Sequence, residues 1–179
     1  PKVQSVNGVS YMVSTLENNT VKNDTQNDRF ASIAAGKDGK LYTVFTSNHS
    51  SNNDIMLREY DGKAFLPDVP VAATEADEYD ATVTTDQSGQ LWMCWTSNQA
   101  GKYNIFITSL DRVKAGQPPV QVSNAADDAM HGRIAAGQNG FNIAYYQWQK
   151  MGETSRDKEI FIRRYTDGKL SKEIQVSPT

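Results

Sequence analysis

The sequence carries a single cysteine, Cys94, among its 179 residues. That excludes an internal disulfide framework and a cysteine-built zinc cage. Histidine is almost as scarce: His49 and His131 lie far apart and make a poor metal pair. The longest apolar runs are a few residues, far short of the roughly 20 that a bilayer-spanning helix needs. Charge of one sign is missing too. Eighteen basic and 21 acidic residues leave a net charge of −3, so nothing electrostatic favours nucleic acid or an anionic membrane. No nucleophile elbow, phosphate loop, dinucleotide fingerprint, helical zinc motif or D-x-D-x-D-G calcium loop occurs. The reading therefore assigns no catalytic residue, metal or cofactor. No secretory leader is present, and the opening Pro1-Lys2-Val3 lacks an initiator methionine. This predicts a mature product or a piece of a longer protein.

What is present is a repeat. Residues 27–48 and 77–98 match without a gap at a shift of 50. Ala31, Gly39, Leu41 and Thr46-Ser47-Asn48 recur as Ala81, Gly89, Leu91 and Thr96-Ser97-Asn98. A weaker third copy spans Asp128 to Trp148, with Ile134 and Gly140 in the places of Ile33 and Gly39. Second halves repeat as well: Asp54-Ile55-Met56-Leu57, Asn104-Ile105-Phe106-Ile107 and Glu159-Ile160-Phe161-Ile162. Runs such as Leu41–Phe45 and Leu91–Trp95 are β-branched and aromatic without helical period, so each unit reads as four short strands. Asp38-Gly39, Ser88-Gly89, Asn139-Gly140, Asp61-Gly62 and Asp167-Gly168 supply the tight turns, and Asn7-Gly8 predicts a further hairpin between Lys2–Val6 and Val9–Ser14. Leu110–Gln117 reads as a longer connection. In 91–95, Leu91, Met93 and Trp95 face one way and Trp92 and Cys94 the other. A strand apolar on both faces belongs inside a layered structure, with Cys94 as a buried small hydrophobe.

IAAGKDGKLYTVFTSN…NDIMLREYDG, followed by VTTDQSGQLWMCWTSN…YNIFITSLD, resembles β-propeller repeats of the sialidase-like and TolB-type kind. The resemblance covers nearly the whole chain. It implies an all-β fold of four-stranded antiparallel blades, a partial propeller or a fragment of one. One repeat domain, 1–179, would divide into a partial blade at 1–23 (outer strands) and blades at 24–74, 75–124 and 125–179. Such a count falls short of the ~4–8 blades of a closed ring. Either more blades lie in a longer protein, or homo-oligomer formation closes the propeller, or the array stays open. The resemblance also implies an extracellular, periplasmic or cell-surface location. Residues 84–92 depart from the sialidase Asp-box, so no sialidase catalytic residue is carried over.

An up-and-down blade puts its glycine hairpins at one end and its longer polar loops at the other, and loops on a rigid scaffold usually carry function. The loops leading into each unit bring Asp24 and Asp28, then Asp77, Glu78 and Asp80, then Asp127 and Asp128. Turn making accounts for such residues, and orienting sugar hydroxyls is the alternative. Phe30, Asp80 and His131 are equivalent positions at the start of the innermost strand, beside Arg29, Tyr79 and Arg133. In the third unit the Thr-Ser-Asn triplet gives way to Gln147-Trp148-Gln149 and an enlarged loop up to Glu159. The candidate ligand-binding residues are thus Arg29, Tyr79, Asp80, His131, Arg133 and Trp148. The leading expectation is a non-catalytic segment binding a glycan or protein partner through this end. The alternative is part of a propeller hydrolase, a glycoside hydrolase or peptidase-associated propeller. Convergence of Asp80, His131 and Arg133 within hydrogen-bond reach favours that alternative.

Overall fold

The computed structural model describes residues 2–6, 9–13, 27–48, 52–123, 127–150 and 156–177. The chain is all-β, with one short helix among the described residues. Sheet I runs β3 (Arg29–Ala35), β4 (Leu41–Ser47), β5 (Asp54–Tyr60), β6 (Val69–Ala72). Sheet II runs β7 (Glu78–Thr85), β8 (Leu91–Ser97), β9 (Asn104–Ser109), β10 (Val120–Gln121). Sheet III runs β11 (Ala129–Gly137), β12 (Gly140–Lys150), β13 (Arg156–Thr166), β14 (Lys169–Leu170), and β15 (Ile174–Gln175) also pairs with β13. All pairings are antiparallel, and all but β13 with β15 join consecutive strands. β1 (Lys2–Val6) and β2 (Val9–Val13) form a separate antiparallel pair in the expected register, while Asn7 and Gly8 lie outside the described residues. The predicted connection after β9 contains α1 (Leu110–Lys114), capped by Ser109, whose hydroxyl oxygen accepts from the Arg112 N–H.

The sheets stack face to face because each offers two apolar faces or one. Tyr42, Val44, Ile55 and Leu57 of sheet I meet Ala81, Val83, Leu91, Met93, Trp95 and Phe106 of sheet II. Trp92, Cys94, Ile105 and Ile107 of sheet II meet Ile134, Phe141, Ile143, Tyr145, Phe161 and Tyr165 of sheet III. The alternation expected for β8 holds, and every residue of that strand is buried. Burial pushes the Cys94 thiol pKa well up, leaving it inert. The first strands run beside one another, β3 against β7 and β7 against β11.

The third copy departs from the expected register. Ala35 pairs with Leu41 and Thr85 with Leu91, but Ala136 pairs with Phe141, one residue sooner. Gly140 pairs with Gly137 as Lys40 and Gln90 bond to Gly36 and Asp86, so the turn is one residue shorter and the expected match of Gly140 to Gly39 and Gly89 does not hold. Tyr146, not Gln147, therefore occupies the place of Thr46 and Thr96. The enlarged loop expected from Gln147 to Glu159 is largely strand: β12 and β13 stay paired out to Lys150 and Arg156.

Two glycines test different terms. Gly39 has φ +78° and no atom within 4 Å of an added Cβ, so Gly39→Val should lose about 1–2 kcal/mol from backbone strain alone. At Gly132 a Cβ would lie 2.6 Å from Cys94 Sγ and 2.9 Å from Ile105 Cγ2. Gly132→Ala should therefore cost about 1–3 kcal/mol by overpacking between sheets II and III. Urea midpoints check both.

Candidate functional site

Each first strand opens with the same bulge. Register shifts lie between Arg29 and Ser32, Tyr79 and Thr82, and Met130 and Arg133. Inside them Phe30, Asp80 and His131 adopt φ of 54°, 56° and 57°. Left-handed conformation in a non-glycine residue costs roughly 1–2 kcal/mol and needs support. Threonines of the preceding sheet provide it. Thr46 Oγ1 accepts from the Asp80 N–H at 3.1 Å and Thr96 Oγ1 from the His131 N–H at 3.2 Å. Next to these, the Glu78 N–H donates to Asn53 O and the Ala129 N–H to Tyr103 O, both at 2.8 Å. Asp77 and Asp128 in turn accept from the backbone N–H of Asn53 and Tyr103, at 3.2 and 3.0 Å. The threonines of the triplet thus serve the neighbouring sheet, whereas Ser97 Oγ accepts from the Gln99 N–H at 3.1 Å and Asn98 Oδ1 from the Asp77 N–H at 3.0 Å within sheet II.

The bulges hold the candidate side chains at the long-loop end, in two groups. Arg29 and Tyr79 line an open cleft of about 300 Å³ between sheets I and II, with Phe30, Asn53, Asp77 and Tyr103. Arg29 Nη2 donates to Asn53 Oδ1 at 2.6 Å, and Asn53 Nδ2 donates to Asp77 Oδ1 at 3.0 Å. Tyr79 and Tyr103 meet edge to face at 5.5 Å. Burial, with Tyr103 beside it, raises the Tyr79 phenol pKa. In the second group Asp80 Oδ2 is shared by His131 Nδ1 and Arg133 Nη1, the latter at 3.0 Å. The Asp80 side chain is 7% exposed, whereas His131 and Arg133 are about half exposed. The convergence on which the hydrolase alternative depends is therefore present. Trp148 stands apart on β12, where Lys158 Nζ lies 4.8 Å from its ring and 4.9 Å from that of Tyr146. Tyr146 also packs on His131 at 5.3 Å.

Sequence reasoning did not single out Asn53, Tyr103, Tyr146 or Lys158. Asn53 and Tyr103 precede equivalent strands, β5 and β9, so the repeat could have paired them. Asp77, read as a turn former, both braces the Asn53 loop and lines the cleft. His49 and Asp24 lie outside the described residues. Larger clefts of about 540 and 460 Å³ open at the opposite end, between the hairpins, lined mainly by turn residues such as Asp86, Ser88, Asn139 and Asp167 in one and Lys37, Asp38 and Gly89 in the other. The first reaches down to the rings of Trp92, Phe141 and Tyr165, which pack on one another at 4.7 and 5.4 Å as part of the core between sheets II and III; neither is lined by an ion-paired cluster like that of Asp80.

Glu78 sits fully buried behind the cleft, accepting from the Thr74 and Ser97 hydroxyls at 2.6 and 3.3 Å. Burial raises its carboxyl pKa above the ordinary 4.5, and the donors from Thr74 and Ser97 pull the other way. A raised carboxyl pKa favours the folded state below the unfolded pKa, and that contribution is lost as pH rises through the folded pKa. Glu78→Gln removes the titration. Its urea midpoint relative to the native chain should therefore be more favourable at pH 7 than at pH 4; a pH-independent difference would contradict the burial argument.

No family model matches this chain, and no curated protein does either. Solved structures do. A crystal structure of a Dyadobacter fermentans protein of unknown function superposes with a TM-score of 0.59 at 15% identity, covering 87% of this chain and 57% of that one. A fucose lectin from Kordia zhangzhouensis, solved with methyl-fucoside, aligns with a TM-score of 0.48 at 16% identity over 83% of this chain and 99% of that one. The chain thus spans little more than half the length of the Dyadobacter protein, and the likeness is one of fold.

Proposed function

We propose that the three sheets are blades of a β-propeller-type array and that the protein binds a glycan without catalysis at its long-loop end, outside the cell or in its envelope. The observation that carries this reading is the cleft between sheets I and II. A monosaccharide presents hydroxyls on its edge and C–H groups on its faces. The Arg29–Asn53–Asp77 chain supplies fixed planar donors and acceptors for the hydroxyls, and Phe30, Tyr79 and Tyr103 supply aromatic surface. A volume of about 300 Å³ suits one sugar unit. Both walls belong to rigid sheets, which lowers the ordering cost of binding.

A second reading rests on Asp80. Its carboxylate fixes the His131 ring through Nδ1 and so leaves Nε2 for a ligand, as a general base requires. Glycoside or ester hydrolysis that falls sharply in His131→Gln would favour it.

An immobilised panel of neutral, amino and acidic glycans tests the first reading. Tyr103→Ala and Asn53→Ala should each weaken a captured glycan by about tenfold or more. Trp148→Ala should leave that affinity unchanged, because Trp148 does not line the cleft. Failure to retain any glycan, or indifference to the two cleft substitutions, would sink the proposal.

A further inference from the structure

Three sheets give two junctions, and the two are built alike. At each, a small residue of the following first strand allows close approach: Ala81 at the first, Gly132 at the second. The preceding sheet offers a branched aliphatic pair from its third strand, Ile55 and Leu57, then Ile105 and Ile107, all buried. It also gives a backbone carbonyl, Asn53 O or Tyr103 O, to the following strand, and receives an acidic acceptor, Asp77 or Asp128.

The outer faces of the stack carry the two halves of a third such junction. On sheet III, Ile160 and Ile162 occupy the places of Ile105 and Ile107, as their pairing with Tyr146 and Ala144 shows. Ile160 is 47% exposed. The carbonyl of Lys158 stands where that of Tyr103 does, and its N–H is held by the neighbouring Asp157 carboxylate at 2.7 Å. On sheet I, Ala31 is the small residue, Asn27 replaces Asp77 as a side-chain acceptor, and Ile33 takes the place of Val83 and Ile134. Ile33 is 62% exposed, in contrast to its 8% and 9% counterparts. One element changes on both sides at once. Tyr146 replaces the threonine, and Phe30, 53% exposed, replaces the residue it would support. An aromatic contact would stand there instead of a hydrogen bond.

We infer that the exposed face of sheet III docks on the exposed face of sheet I of a second copy of this chain, head to tail. Two reciprocal contacts would close a ring of six sheets, inside the ~4–8 that propellers allow, whereas three copies would exceed it. The proposal rests on the blade reading. Phe30 borders both the cleft and the proposed contact, but the Arg29–Asn53–Asp77 chain lies within one copy, so the Asn53 and Tyr103 substitutions read glycan capture apart from the dimer.

Light scattering coupled to size exclusion across a concentration series reads the outcome. The native chain should approach twice 19.8 kDa. Ile33→Glu and Ile160→Glu lie on opposite faces, and both positions are exposed, so neither should alter the circular dichroism or melting of the monomer. Each alone should abolish the dimer, since every head-to-tail contact uses both faces. A native chain that stays at 19.8 kDa throughout overturns the inference. So does a dimer that survives either substitution, because a contact through one face only, or through another surface, would behave that way.

Discussion

The junction between consecutive sheets is the constraint on which the rest of the structure depends. A strand that must lie flat against its own sheet and also reach the previous one needs an extra residue, and the bulge at Phe30, Asp80 and His131 supplies it. The left-handed turn of that residue is unfavourable for an L side chain. It persists at Asp80 and His131 because a threonine of the neighbouring sheet satisfies the N–H turned out of the ladder. The strain also re-aims side chains. Asp80 and His131 leave the ordinary alternation of their strands and meet across the junction, with Arg133 alongside. Fold and candidate chemistry thus share one origin.

That shared origin explains why two interpretations of the same end coexist. Asp80 is nearly buried and must have partners, since an isolated carboxylate there would be costly. His131 and Arg133 meet that need, so their convergence has a structural reason that holds whether or not chemistry follows. The Arg29–Asn53–Asp77 chain has less structural cause. Asp77 is needed for the Asn53 N–H, but no junction requires the Arg29 guanidinium, which lies at the cleft mouth. Polar order that exceeds what folding needs is the better pointer to a ligand, and it is why the cleft carries the functional proposal.

Much of the fold was legible in the sequence because two signals were redundant. The shift of 50 between 27–48 and 77–98 fixed equivalent strands, and the two-faced apolar run Leu91–Trp95 required sheets on either side. The strand pairings, the turns at Gly39 and Gly89 and the burial of Cys94 followed from those. The register of the third copy was not legible, since Gly140 reads as the match of Gly89 but stands in the place of Gln90, after a turn one residue shorter. A gap beside a conserved-looking turn is invisible until backbone pairing locates it. Of the site, Asp80, His131 and Arg133 could be read because equivalent positions in neighbouring repeats fall side by side. Asn53 and Tyr103 are equivalent by the repeat, but nothing local to either loop marks Asp77 and Asp128, 24 and 25 positions on, as their partners.

The third copy shows how a repeat changes where its neighbour changes. At inner junctions the threonine has a small side chain suited to a backbone N–H, and the residue it supports, Asp80 or His131, is of a type that tolerates positive φ. Phe30 is a poor residue for that conformation. The β1–β2 pair, which precedes it in the chain, contains no threonine. Tyr146, at the other end of the stack, is too long to serve a backbone N–H at threonine distance, and its hydroxyl turns back to Met130 Sδ at 3.3 Å. Two substitutions that each weaken the local rule are consistent with each other if their surfaces meet, since ring against ring recovers by area what the lost hydrogen bond gave. Exposed Ile33 and Ile160 obey the same logic: each keeps the apolar side chain that its buried counterparts need, on a face where a lone stack would favour a polar residue.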